Sequence, residues 1–219
     1  MVRGKLKGKI STRIVRTTLI AILLLVAIII GITYYFISED LKTRTNDMAE
    51  GVWHAVSESV SIESLIALKT DPTIESEAYI TIKKDLRAIR DAINAKYLHI
   101  VMVSEGNYVY LVDGIDSNSE DSASPFDPVE PDYIDDYQTV EQTKLPLFGT
   151  YDEYEDRVLF SNYFPLNDEQ GNLIAFLGAD FDITDTLAAS RDMSLIIIMS
   201  TLIALIVIRS EEHTSELQS

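Results

Sequence analysis

Two long uncharged runs bracket a stretch in which apolar residues recur first every three or four positions, then in short strand-like bursts. The first run, Thr17–Phe36, has 20 positions without a charge. At about 1.5 Å per residue it crosses the roughly 30 Å hydrocarbon core of a bilayer. Tyr34, Tyr35 and Phe36 close it where an interfacial aromatic belt belongs. A cleavable signal peptide also follows a basic leader, but its apolar core is shorter and ends in a small-x-small site, which is lacking here. The second run, Met193–Ile208, has 16 uncharged residues, slightly short of a full span. Transmembrane helices are therefore predicted over 17–37 and 191–208.

Between the runs, Leu41, Met48, Val52, Ala55, Ser59, Ile62 and Ile66 follow a three-four spacing with one gap. That spacing predicts a helix continuous with the first membrane run, whose stripe serves either burial or dimerisation. "TDPT" (Thr70–Thr73) interrupts it, with Asp71 a candidate N-cap and Pro72 a candidate first helical residue. Tyr79, Ile82, Leu86, Ile89 and Ile93 then mark a second, cleaner helical face. After Lys96 the pattern changes. "YLHIVMV" and "YVYLVDG", joined by "SEGN", predict a β-hairpin. An acidic stretch over 113–136 reads as a loop, followed by strands in "LPLFGTYDEY", "RVLFSNYFPL" and "LIAFLGADFDI". Two helices leading into about five antiparallel strands, with no βαβ alternation, give an α+β fold built on a meander.

Charge gives this arrangement a direction. Arg3, Lys5, Lys7, Lys9, Arg13 and Arg16 occupy a start that holds no acid, whereas Ile37–Ser190 carries 31 Asp/Glu against 10 Lys/Arg. By the positive-inside rule, residues 1–16 form a cytoplasmic tail and 38–190 an extracytoplasmic domain of an inner membrane protein. Such an acidic surface repels phosphates, so nucleic acid is an excluded partner. There is no cysteine, hence no disulfide, thiolate zinc site or thiol nucleophile. Asp113, Asp116, Asn118, Glu120 and Asp121 invite a calcium reading, but the glycine and distal glutamate of an EF-hand loop are missing. A solvated acidic loop fits them better, and no metal or cofactor is expected.

"YVYLVDG", "SPFDPVEPDY" and "LFSNYFPLNDEQGNLIAFLGADFDIT", set between two membrane runs, resemble a single Cache domain, the PAS-like extracytoplasmic sensor module of bacterial receptors. Pro165, Asp168, Gly171, Gly178 and Asp180 stand where such domains have a P…D..G…G.D pattern. The resemblance covers about residues 38–190 and, in the acidic loop, is strongest to sensors joined to diguanylate cyclases, then to chemoreceptors and histidine kinases. It implies a homodimer and a small-molecule ligand held on the membrane-distal face of the sheet. Asp180, a carboxylate in an apolar strand, is the candidate partner of a ligand amine or cation. Tyr108, Tyr110, Ser161 and Tyr163 are candidate walls of the same cavity. Family members that bind amino acids carry an Arg-x-Trp-Tyr element before their final Asp. Here it is absent, and the one tryptophan, Trp53, lies on the first helix.

Nothing in the sequence assembles a catalyst. His54 and His99 have no Ser or carboxylate at motif spacing, and there is no phosphate loop, HExxH or GxSxG. The terminal "RSEEHTSELQS" (Arg209–Ser219) resembles the in-frame translation of a short-read sequencing adapter, which implies that the natural frame runs on beyond Ile208. The expectation is therefore the ligand-sensing input half of a membrane receptor whose output module is missing. The alternative is a membrane-tethered surface domain that binds a partner protein without signalling.

Overall fold

The computed structural model describes residues 2–70, 73–154 and 156–217, with side chains for 17–70, 73–154 and 156–207. The chain divides into two compact units, residues 1–40 with 185–219, and residues 41–184.

The first unit is helical. Helix α1 runs Val2–Ser59 and contributes its first part here; α5, Thr184–Leu217, contributes nearly all of its length. Both contain stretches long and apolar enough to cross a membrane, and almost none of those stretches is buried within the protein. Leu24, Phe36, Ile196 and Ile206 are each at least 60 % exposed, a pattern that suits lipid rather than water.

The second unit is a five-stranded antiparallel sheet with helices on both faces. The strands are β1 (Tyr97–Ser104), β2 (Asn107–Asp113), β3 (Leu147–Glu153), β4 (Val158–Asn167) and β5 (Leu173–Asp182). Their order is β2-β1-β5-β4-β3. The predicted meander holds for β3, β4 and β5. The sheet is completed by a long-range pairing of β5 with β1, so the last strand is central. Residues point alternately to the two faces of a strand. Leu98, Ile100, Met102, Leu177, Ala179 and Phe181 face α1, α2 (Ile62–Thr70) and α3 (Glu77–Ile93), while Val101, Tyr163 and Phe176 face the other side with Tyr137 and Val140. Burial on both faces is why these strands read as apolar bursts rather than a clean alternation.

The expected long helix is two helices. Helix α1 stops at Ser59, and α2 spans Ile62–Thr70. Between them Ser61 acts as a cap, its carbonyl accepting from Leu65 N–H at 3.1 Å and its hydroxyl donating to Glu63 at 2.6 Å. The buried stripe of α1 is Thr45, Ala49, Val52 and Val56, continued by Val60, whereas the predicted Met48 is 43 % exposed. Thr and Ala carry close helix–sheet packing that a hydrophobicity count passes over. Trp53 fixes this helix to the sheet: its ring stacks on Phe164 at 5.4 Å, and Nε1–H donates to Pro165 O at 3.0 Å.

Helix α3 spans Glu77–Ile93, starting later than Pro72; Asp71 and Pro72 lie outside the described residues. Ser76 is its N-cap, accepting from Tyr79 N–H, and Asn94 closes it in the left-handed conformation at φ 56°. Tyr79, Ile82 and Leu86 are buried as the stripe requires, with Ile89 and Ile93 packed against the same core. The acidic stretch 113–136 is a loop only in its first part. From Pro131 to Thr143 it is helix α4, with Pro at its first turn and Tyr137 and Val140 buried against the sheet.

Candidate ligand cavity

A cavity of about 470 Å³ lies on the α4 face of the sheet, within the usual range for small-molecule sites. Its floor is β1, β4 and β5, presenting His99, Tyr163 and Asp180; Tyr133 and Tyr137 reach in from α4. The 120–130 segment and the β3–β4 turn close its sides with Glu120, Asp127, Glu130, Tyr154 and Arg157.

The registers explain the floor. Tyr97 pairs with Asp180 and His99 with Gly178, so the two titratable groups lie on one face two residues apart along neighbouring strands. A Cβ on Gly178 would come within 2.2 Å of the His99 ring, so this position has no room for a side chain. The ring is held by two further contacts. Nε2 lies 2.8 Å from the Tyr137 hydroxyl, and the ring meets Tyr110 edge-on at 5.2 Å. Its Nδ1 is 3.9 Å from the Asp180 carboxylate. Nε2 and the Tyr137 hydroxyl share a hydrogen bond, whereas Nδ1 stands too far from the carboxylate for one, so the His99–Asp180 contact is electrostatic only.

Asp180 is only 7 % exposed. Burial pushes its carboxyl up to about 6; His99 and Ser161 pull it down, and Asp152 and Asp113 raise it further. The surrounding tyrosines are shifted the same way. Tyr97 is raised to about 12 by burial and by Asp121, and Tyr110, Tyr137 and Tyr163 are held above the ordinary tyrosine value, chiefly by burial. All of them are neutral hydroxyls at any physiological pH.

Three of the five predicted residues, Tyr110, Tyr163 and Asp180, line this cavity. Tyr108 and Ser161 do not. Tyr108 points into the core under α4, donating to Glu141 at 2.5 Å and stacking on Tyr137 at 5.8 Å. Ser161, paired with Asp180 on the same face of β4 as Tyr163, is buried and donates to Asp152 at 2.6 Å. Sequence reading missed His99, Tyr137, Asp113 and Arg157. The signal for His99 was the glycine opposite it, visible only once β1 is paired with β5. Asp113 is more than a strand end: its two carboxylate oxygens accept from Ile115 N–H at 3.0 Å and Ala123 N–H at 2.8 Å, tying the acidic loop to the sheet.

The lining is strongly acidic. Asp113, Glu120, Asp121, Asp127, Glu130, Asp156 and Asp180 face one arginine. That arginine is already engaged, donating to Tyr97 at 2.6 Å and to Asp156 at 3.0 Å. Such a cavity has a negative potential between aromatic walls, the combination that holds organic cations. Among the described residues no cluster of potential metal ligands occurs.

No family model matches the sequence, and no curated protein does. Solved structures do. The ligand-binding domain of the Campylobacter jejuni chemoreceptor Tlp3, in complex with 4-methylisoleucine, matches at TM-score 0.50 and 17% identity over 71% of this chain and 56% of that one. The sensor domain of the V. cholerae histidine kinase DctB matches at TM-score 0.38 and 10% identity, covering 67% of this chain and 57% of that one. The Pseudomonas aeruginosa PAO1 amino acid chemoreceptor PctC, in complex with GABA, matches at 0.34 and 11%, covering 69% and 67%. The chain thus spans little more than half of the Tlp3 domain it matches. The chain is folded like the ligand-binding domain of a bacterial chemoreceptor.

Proposed function

We propose that this chain is the non-catalytic sensing module of a bacterial inner-membrane receptor, and that its cavity takes a small molecule bearing a cationic group. The observation that carries the reading is Asp180. It is a buried carboxylate, kept from full ionisation by its surroundings and facing a cavity whose other charges are nearly all negative. A ligand cation would supply the missing partner and restore the ionised form, with tyrosine faces around it. The Arg-x-Trp-Tyr element of amino-acid binders is absent, and the acidic lining offers a ligand carboxylate little beyond Arg157, so we assign an amine or quaternary ammonium rather than an amino acid.

In this reading the two apolar helices span the bilayer and residues 38–190 face outward. Occupancy shifts the population of sheet arrangements, and β5 runs directly into α5, which carries the shift to the membrane. The chain works as a homodimer within a longer receptor. On the resemblance of its acidic loop, the output is a diguanylate cyclase; a long read through the locus past Ile208 tests that part.

The ligand test is calorimetric titration of the full chain in lipid nanodiscs with small amines, quaternary ammonium compounds, amino acids and dicarboxylates. Expected is binding confined to the cations and weakened tenfold or more by Asp180→Asn. Binding of a dicarboxylate that survives Asp180→Asn refutes the assignment.

A further inference from the structure

We propose that a second cavity, between α3 and the 117–125 segment, binds a small organic anion with an apolar tail. Its volume is about 440 Å³, close to that of the first, but its lining has the opposite character. Lys83, Lys84 and Arg87 face it and no acidic residue does. In a stretch where acids outnumber bases three to one, this grouping stands out. Three of its 10 basic residues line one pocket whose lining holds no acid, Asp116 reaching Arg87 from outside it.

The geometry is that of one helix face. Ile80, Lys83, Lys84 and Arg87 follow the spacing that stacks side chains along a single side of α3. Ile74 and Ile80, 58 % and 56 % exposed, form an apolar shoulder beside the cations. Opposite them Ser117, Ser122 and Ser124 bring hydroxyls, and Pro125 adds an apolar wall. A head group with negative charge has cations and hydroxyl donors on two sides, and its alkyl tail has the isoleucines. Burial lowers the Lys83 ammonium from its ordinary value, with Arg87 and Arg90 acting in the same direction against Asp113 and Asp116.

The site is anchored from below. Lys83 Nζ donates to Asp113 O at 2.9 Å, and Arg87 reaches Asp116 at 3.1 Å. Lys84, exposed on the same face, is available to a ligand without breaking either contact. Ser122 and Ala123 line both cavities, so the two sites share a wall.

The test is calorimetric titration of the full chain in nanodiscs with hexanoate and with neutral hexanol, heats from protein-free nanodiscs being subtracted. Hexanoate is expected to bind and hexanol to bind at least tenfold more weakly. The double variant Lys84→Glu, Arg87→Glu is expected to lose hexanoate by tenfold or more, while Asp180→Asn leaves it unchanged. Trp53 emission, reporting the packed core, checks that the variants are folded. If charge reversal unfolds the protein, the neutral pair Lys84→Gln, Arg87→Gln is expected to weaken hexanoate severalfold. Equal binding of hexanoate and hexanol, unchanged affinity in the charge variants, or loss on Asp180→Asn alone overturns the proposal.

Discussion

Replacing Asp180 by Asn should change how stability responds to pH, in a direction the structure sets. The carboxyl moves from 3.8 to about 6 on folding, so between those values the native state holds more protons than the unfolded chain. Stability then falls as pH rises through this window, and the deficit is complete above the native value. At about 1.4 kcal/mol per pH unit, the ionised carboxylate costs the fold about 3 kcal/mol at pH 8. The group is nine-tenths buried, so solvent screening removes little of this. Asparagine has nearly the same shape and does not titrate. It gives up the attraction of His99. The stability difference between variant and wild type should therefore shift by about 2.5 kcal/mol in the variant's favour from pH 4 to pH 8. Denaturant titrations at half-unit steps, followed by Trp53 emission, measure it. Trp53 is the single tryptophan and lies against Phe164 in the core. A difference that stays flat with pH, or moves against the variant as pH rises, refutes the picture of an under-compensated carboxylate.

Four further outcomes follow from the structure described above. Trp53→Phe strips Pro165 O of its donor in a half-buried place and should cost about 1–2 kcal/mol, read by thermal unfolding followed by circular dichroism. Gly178→Ala drives a methyl into the His99 ring and should cost about 2–4 kcal/mol; Tyr137→Phe, which loses one hydroxyl contact, should cost about 1 kcal/mol, so the order of the two midpoints is itself a check. Spin labels beside Thr184 in paired chains should change spacing on saturation with a bound cation, and identical distances with and without it would exclude transmission through β5.

How much of this was readable beforehand varied with the range of the forces involved. The β1–β2 hairpin was plain because its turn residues lie between its strands: Glu105 and Gly106 both take positive φ, at 51° and 83°. The α3 stripe was plain because five apolar residues repeat at helical spacing. Helix α4 was hidden inside an acidic stretch, its apolar face being only Tyr133, Ile134, Tyr137 and Val140. Pro131 followed by Asp132 was the available start signal. The end of α1 at Ser59 had no proline or glycine to mark it; Ser61 and Glu63 make the stop through a local hydrogen bond. The cavity was legible at Asp180, which breaks its own strand's pattern, and at the strand tyrosines Tyr110 and Tyr163. His99 and Tyr137 are 38 residues apart, and the pairing that brings them to Asp180 is a long-range property of the sheet. Tyr108 and Ser161 had the right residue types, but Tyr108 packs under α4 and the Ser161 hydroxyl is taken by Asp152.

The missing side chain at Gly178 leads to a statement about ancestry. Positions 99 and 178 draw on one parcel of space, filled from β1 by an imidazole. A lineage that enlarged residue 178 would have to shrink residue 99 in the same step or soon after, and would then lose the group that faces Asp180. Substitutions at these two sites should therefore be inherited as a pair. Relatives with a small residue at 99 and a larger one at 178 would be those whose cavity has changed its chemistry.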